Sequence, residues 1–161
     1  MGRLVPTPPE AQPKQDRRSV TPLKQEVISR KMRHLEELLG LLKAESECTL
    51  PAFLADRREQ LLVERLLHLC VEASCDLLDH LLVQRFAINA ETYADTFLKA
   101  SQTALISAGL AQRLLPAAGL RNRLVHDYDA LDPERIHAAI QTALTDLGDL
   151  LNELRAAGMG V

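Results

Sequence analysis

Apolar side chains recur at steps of three and four residues along most of the chain, and they nowhere alternate with a period of two. Steps of three and four place side chains on one face of an α-helix, whereas a half-buried strand requires alternation. Residues with β-branched side chains, which favour strands, are also sparse. The spacing therefore predicts an all-α fold, an antiparallel bundle of four to five helices with short connections.

Prolines, glycines and capping residues divide this pattern into segments. The predicted helices cover residues 22–44, 56–85, 89–100, 110–128 and 133–156. Between the first two helices, the run Pro51-Ala52-Phe53-Leu54 predicts a short turn. The fourth helix is expected to be interrupted near Pro116 and Gly119, because proline removes a backbone donor and glycine weakens a helix interior. Gly158 is expected to end the last helix.

The longest predicted helix and the one after it each carry residues that we expect to pack. The stripe expected on the longest helix consists of Leu62, Leu66, Leu69, Ala73, Leu77 and Leu81. The packing residues expected on the next helix are Tyr93, Phe97 and Leu98.

The N-terminal residues differ in composition from the rest of the chain. Five of the 8 prolines lie within the first 22 positions, among polar residues. Residues 1–31 carry a net charge of +4, and the remaining residues carry −7. We expect a flexible, Pro-rich basic tail over residues 1–20, followed by one helical domain over 21–158. A solvated arm and an arm that binds nucleic acid are both compatible with this composition.

Composition also narrows the classes of function. The odd number of cysteines, 3, argues against a disulfide framework and favours a reducing, cytoplasmic location. No apolar run approaches the roughly 18 residues of a membrane span, and the N-terminus lacks the layout of a signal peptide. With 3% aromatic residues and no Trp, binding of RNA by base stacking is not expected. No Gly-rich phosphate loop occurs, so we expect no nucleotide cofactor.

The run Arg121-Asn122-Arg123-Leu124-Val125-His126-Asp127-Tyr128, here called the octet, concentrates groups capable of chemistry. On a helix, Asn122 lies at about 100° from Arg121, His126 at about 140° and Tyr128 at about −20°. Arginine can hold a phosphate through two parallel hydrogen bonds, and histidine can move protons near neutral pH. The alternative for the same residues is a helix C-terminus with a structural Arg–Asp pair and a capping histidine.

The octet resembles the R-x4-H-x-Y motif of the HEPN domain family, and specifically of HepT-like toxins. Two further segments are similar to family patterns in the same order: Val63-Glu64-Arg65 followed by residues 75–82, and residues 92–97. The resemblance covers about residues 22–155. Asp79 stands where many members of the family have asparagine.

The resemblance implies a HEPN-like bundle that acts as the toxin of a toxin–antitoxin pair. Such toxins are metal-independent endoribonucleases that work as symmetric dimers without a cofactor. The partner it implies is a small MntA-like nucleotidyltransferase antitoxin, which silences the toxin by adding AMP to the motif tyrosine, here Tyr128. We therefore expect an RNA substrate, a homodimer or a larger assembly with the antitoxin, and no association with membranes.

Within this reading, Arg121 and His126 are the predicted catalytic residues. Arg121 would bind the phosphate oxygens and His126 would act as acid or base. Asn122, Asp76 and Tyr128 are predicted to support the cleft. Two alternative functions remain open: a non-catalytic HEPN subunit that docks a nucleotidyltransferase, and a structural helical dimer.

Other polar residues of the predicted helices have competing interpretations. His68, Glu72, Asp76 and His80 form a stripe that fits a solvated face, a cleft lining or a metal site, and we predict no metal because ligands on partner helices are missing. Cys70 and Cys75 are expected to pack in the interior, whereas Cys48 is expected in a loop. His34 and His137 are expected to be solvated. Because the body is acidic, the basic surface must be local, and its predicted members are Arg113, Arg121 and Arg123.

Overall fold

The computed structural model describes residues 22–126 and 131–160, and these two ranges contain six helices and no strand. The helices are α1 (Pro22–Glu45), α2 (Leu50–Ala55), α3 (Arg57–Phe86), α4 (Tyr93–Gln102), α5 (Ala108–His126) and α6 (Pro133–Ala156). The predicted all-α bundle is confirmed, with α2 as a short helix where a turn was predicted. The predicted tail over residues 1–20 lies outside the described residues, as does Tyr128.

Local sequence explains where the helices begin and end. The side chains of Asp56, Thr92 and Asp132 each accept a hydrogen bond from a backbone N–H two or three residues later, at 2.9, 3.1 and 3.0 Å. These contacts satisfy donors that the first turn of a helix leaves free. Gly158, at a φ of 76°, ends α6 as predicted, and it lets buried Met159 fold back to donate to the carbonyl of Leu154.

Helix α3 occupies the centre of the bundle and contacts each of the other five helices of the described chain. It buries two adjacent rows of side chains rather than one stripe, because it has neighbours on several sides. The buried apolar residues of α3 are Val63, Leu66, Leu67, Cys70, Val71, Cys75, Leu77, Leu78, Leu81 and Leu82. The predicted stripe is wrong at its first member, since Leu62 is 44% exposed.

Helix α5 runs without a break through Pro116 and Gly119, so the predicted interruption is wrong. Proline cannot donate to the carbonyl four residues earlier, which belongs to Gln112. Gln112 and Pro116 are both exposed, and water can satisfy that carbonyl. Residues 121–126 of the octet therefore continue the same helix whose first half is anchored in the core by Leu110, Ala111 and Leu114.

Two sets of polar contacts bind α5 to α6. The N–H and hydroxyl of Ser107, just before α5, donate to the two carboxylate oxygens of Glu153 at 2.6 and 2.7 Å. Arg113 donates to Asp146 at 2.8 Å and to Asp149 at 2.5 Å. The carboxylates of Asp146 and Asp149 compensate the charge of Arg113. The prediction that Arg113 contributes to a basic surface is therefore wrong.

Two predictions about single side chains are also corrected. Helix α4 packs only on α3 and α5, and the side chain that it buries against them is Phe97. The neighbouring Leu98 is 38% exposed. His137 is not solvated: its Nε2 lies 2.8 Å from the carbonyl oxygen of Cys48, and its ring centroid lies 5.2 Å from that of Phe53. This contact ties α6 to the α1–α2 connection and the α2 helix.

The three cysteines are free thiols. Cys70 and Cys75 are buried, as predicted, and burial raises the pKa of the Cys70 thiol to about 12. Such thiols are protonated and unreactive at neutral pH. None of the helices in the described ranges has both the length and the apolar character needed to cross a membrane.

The position of α3 predicts unequal effects for two leucines of the same helix. Leu78→Ala removes a fully buried side chain and should lower the free energy of unfolding by about 2–5 kcal/mol. The matched control, Leu62→Ala, removes an exposed side chain and should change it by less than about 0.5 kcal/mol. Urea denaturation measures both, and equal losses would contradict this orientation of α3.

Candidate active site at the end of α5

Residues 121–126 of the octet form the last turn and a half of α5, which is helical as far as His126. Leu124 is buried, whereas Asn122 and His126 are exposed. The helical spacing assumed for the octet therefore holds from residue 121 to residue 126. Tyr128 and Asp127 lie outside the described residues.

Arg121 is fixed by residues from two other helices. Its guanidinium lies over the ring of Tyr93, the first residue of α4, at 4.4 Å from the ring centroid. Its Nη2 lies 3.9 Å from Oε1 of Glu72 on α3. The side chain is 18% exposed, and its Nε is buried without a hydrogen-bond partner. Stacking and charge attraction thus orient the guanidinium and leave donors unused.

Glu72 also faces His68, one turn earlier on α3, with 3.6 Å between carboxylate Oε2 and Nε2. Burial lowers the pKa of His68; Glu72 opposes this shift, and the positive charges of Arg121 and Arg65 add to it. The imidazole therefore favours its neutral form.

Asp76, the next residue of the stripe, forms an ion pair with Lys31 of α1. It remains 64% exposed, so this pair links α1 and α3 at the surface. One turn later, burial lowers the pKa of His80, and the nearby charges of Lys31 and Lys24 lower it further against the opposing effect of Asp76. Within the described ranges, no group of three or more His, Cys, Asp or Glu side chains is arranged to hold a metal ion.

Two adjoining depressions lie beside these residues. The first, the α4–α5 cavity, has a volume of about 650 Å³ and includes Asp79, Thr92, Tyr93, Thr96 and Asn122 in its lining. The second, the α3 groove, has a volume of about 460 Å³; its lining residues are His34, Leu69, Glu72, Ala73, Asp76, Asp79 and Tyr93. Asp79 and Tyr93 line both, so the two depressions adjoin each other.

Asp79 lies between the cavity and the groove, where the hydroxyl of Thr96 donates to its Oδ1 at 2.9 Å. Burial raises the pKa of this carboxyl, while the Thr96 hydrogen bond acts in the opposite direction. A carboxyl at this position can accept hydrogen bonds from a ligand in either depression.

The structure thus brings Asn122 and Asp76 to the linings of two adjoining depressions. Arg121 is held by Glu72 and Tyr93, which line the α3 groove. His126 is different, because no hydrogen bond or ion pair joins its side chain to another described residue. An oriented guanidinium and an exposed imidazole are suited to bind an anion and to transfer a proton.

Sequence reasoning missed both partners of Arg121, Glu72 and Tyr93. The stripe containing Glu72 and His68 was noted, but a repeat of four residues cannot show which helix faces it. Tyr93 was expected only to pack, and its stacking on a cation depends on the approach of α4 to α5.

The partly buried side chains of His68 and His80 predict that the stability of the fold depends on pH. Because folding lowers the pKa of His68 and of His80, the unfolded chain binds more protons at mildly acidic pH. Stability should be constant above pH about 6.5 and fall as the pH drops below this value. The urea concentration at the midpoint of unfolding should fall less steeply with decreasing pH in His68→Gln and in His80→Gln than in the wild type. The exposed control, His34→Gln, should leave this dependence unchanged, and an unaltered curve in both test variants would contradict the assignment.

Comparison with known proteins finds matches to one family of nucleases. The family model described as ribonuclease HepT-like matches residues 28–154. A tRNA nuclease HepT from Aphanizomenon flos-aquae is 33% identical over 118 residues, which cover 73% of this chain and 80% of the relative.

Solved structures show the same fold. A crystal structure of a toxin–antitoxin pair with AMP-PNP contains a chain that superposes with a TM-score of 0.74 at 24% identity, covering 81% of this chain and 98% of that one. A tri-AMPylated HEPN toxin from Shewanella oneidensis, in complex with an MNT antitoxin, superposes with a TM-score of 0.62 at 26% identity, covering 83% and 95%. The resemblance inferred from the octet is confirmed: the chain belongs to the HepT-like ribonuclease family.

Proposed function

We propose that this protein is the toxin of a toxin–antitoxin pair, an endoribonuclease that cleaves RNA without a metal ion. The observation that carries the proposal is the placement of Arg121 by Tyr93 and Glu72, with an exposed His126 one turn and a half further along the same helix. The membership of residues 28–154 in a ribonuclease family supports the same reaction.

In the proposed reaction the RNA supplies its own nucleophile. The 2′-hydroxyl oxygen forms a bond to the neighbouring phosphorus, while the bond from phosphorus to the 5′-oxygen breaks. One His126 takes the hydroxyl proton, and a second, protonated His126 gives a proton to the leaving oxygen. Arg121 compensates the charge that develops on the phosphoryl oxygens. The products are a 2′,3′-cyclic phosphate and a free 5′-hydroxyl.

A homodimer would supply the two histidines that this reaction needs. Under two-fold symmetry, each residue near the axis meets its own copy, so one cleft contains two copies of Arg121 and of His126. The absence of intramolecular partners for His126 in the described chain supports this role. Asn122 and Asp76, which line the two adjoining depressions, would orient the RNA by hydrogen bonding.

Silencing is proposed to occur by AMPylation of Tyr128. A MntA-like nucleotidyltransferase antitoxin would direct the phenol oxygen to the α-phosphate of ATP, releasing pyrophosphate and the phenol proton. Each AMP adds bulk and a negative charge two residues beyond His126, and both oppose the entry of RNA. The AMPylated toxin from Shewanella oneidensis, solved with its antitoxin, supports this step. Free thiols in the chain support action in the cytoplasm, where RNA is abundant.

The two catalytic assignments predict loss of cleavage without loss of folding. Arg121→Ala and His126→Ala should each lower the rate by at least about 10²-fold, because each removes a group that acts in the transition state. The assay uses purified chain and total transfer RNA in EDTA. Arg58→Ala is the control, since it removes an exposed arginine that has no acidic partner in the described residues and lines neither depression beside the octet.

Retained cleavage in both test variants would refute the assignment. If the wild type itself does not cut any RNA, the alternative of a non-catalytic subunit that docks a nucleotidyltransferase takes its place. Stable complex formation with that enzyme, without toxicity when the chain is expressed alone, would identify this alternative.

The stacking of Arg121 on Tyr93 predicts a second, graded effect. Tyr93→Phe retains the ring face and should leave the rate of cleavage within about threefold of the wild type. Tyr93→Ala removes the surface that orients the guanidinium and should lower kcat by about tenfold or more. Single-turnover kinetics on transfer RNA separates the two variants. Equal losses in both would show that the hydroxyl, and not the ring, is the important group.

A further inference from the structure

About half of the lysines and arginines in the described residues have no acidic partner, and two of these, Arg30 and Arg33, lie together on α1 and line the same cavity. Arg113, Arg121, Lys31, Lys99 and Arg155 each form an ion pair with a carboxylate. By contrast, Arg30 and Arg33 are exposed, and the described chain provides no hydrogen bond or ion pair to either guanidinium. Two free guanidinium groups on one helix, three residues apart, face the same side of α1.

Arg30 and Arg33 line a third depression, the α1 cavity, which has a volume of about 430 Å³. This cavity shares His34, Ala73 and Asp76 with the α3 groove. The α3 groove shares Asp79 and Tyr93 with the α4–α5 cavity, which Asn122 of the octet lines. A row of three adjoining depressions, here called the depression, therefore leads from Asn122 of the octet, across α3, to Arg30 and Arg33 of α1.

The acidic residues along this depression are largely compensated. Glu72 faces Arg121, Asp76 is paired with Lys31, and Asp79 accepts a hydrogen bond from Thr96. Glu91 lines the α4–α5 cavity without such a partner in the described residues, and Glu37 is the remaining acidic side chain in the lining of the α1 cavity. One unpaired carboxylate against two unpaired guanidinium groups leaves this end of the depression positive.

The composition of the chain favours contacts with phosphates over contacts with bases. A chain with 3% aromatic residues and no Trp cannot offer a series of stacking platforms to single-stranded RNA. Such a chain must obtain its affinity for RNA from contacts with the backbone phosphates, and arginine is the preferred residue for binding phosphate. Its net charge of −3 makes any local positive surface important for this contact.

We propose that this depression is the track of the RNA substrate, and that Arg30 and Arg33 bind the backbone phosphates of the strand that flanks the cleavage position. The inference rests on the proposed function, because it assigns the path of the RNA that Arg121 and His126 act on. The carboxyl groups of α3 between the two ends accept hydrogen bonds from ribose hydroxyls or base amino groups.

The test measures RNA binding in the His126→Ala background, where the RNA stays intact. The probe is an unstructured, fluorescent RNA oligonucleotide, titrated at several salt concentrations. Arg30→Ala with Arg33→Ala should lower the affinity by about tenfold. The slope of the logarithm of affinity against the logarithm of salt concentration should become shallower by about 1.4, since each phosphate contact of a single strand contributes about 0.7.

The matched control is the double variant Lys43→Ala with Arg58→Ala. It removes the same charge from two exposed side chains that line neither the α1 cavity nor the α3 groove. Lys43 lies about 15 Å along α1 from Arg33, and Arg58 about 21 Å along α3 from Glu72. This control should retain the affinity and the salt slope, and unchanged thermal unfolding in both double variants verifies that each is folded.

Equal affinity and slope in the two double variants would overturn the track. If RNA binding is unchanged by Arg30→Ala with Arg33→Ala but the complex with the nucleotidyltransferase is lost, the surface is a protein-docking site and the track is wrong. Cleavage of transfer RNA by the chain with His126 intact is measured separately. Cleavage by that chain, together with unaltered binding in the α1 variant, would refute the track and leave the proposed function standing.

Discussion

The burial of α3 is the constraint on which the rest of the bundle depends. Because α3 contacts all five other helices of the described chain, it fixes their positions relative to one another. Its two buried rows are formed by leucine, valine and small residues that exclude water on several sides. Beside these rows α3 carries the partly buried His68, Glu72 and His80 and the exposed Asp76. The helix that organises the core therefore also supplies the polar floor of the candidate site.

The other helices bring their functional residues to that floor through contacts of their own. Ser107 and Arg113 bind α5 to carboxylates of α6, which sets the position at which α5 passes α3. Arg121 lies two turns beyond Arg113, so this anchoring carries it to Glu72. Helix α4 begins at Tyr93, and its capped first turn presents the aromatic ring beneath the guanidinium. A rigid scaffold with a solvent-facing His126 fits an active site that is completed by a second chain or a substrate.

Much of the fold was predictable because the helix signals of this chain are local. Caps at Asp56 and Asp132 and the glycine after α6 define helix ends through hydrogen bonds within a few residues. The predicted start of the α4 helix at residue 89 is wrong, because the helix begins at Tyr93, after its cap Thr92. The errors arose where neighbours in space decided the outcome. Pro116 lies within a continuous helix because its face is exposed, and Leu62 is exposed because the first turns of α3 lack a neighbour on that side.

The amino-acid sequence by itself determined the all-α class, most helix boundaries and the octet that identifies the family, because each depends on residues close together in the chain. Only the tertiary structure decided which groups surround Arg121, since Glu72 and Tyr93 come from helices that are distant in sequence. The tertiary structure likewise decided which arginines remain free. Arg113 is paired across a helix interface, whereas Arg30 and Arg33 are not, and no spacing in the sequence distinguishes them. Charge compensation depends on distance in space, and the chain order does not encode that distance directly.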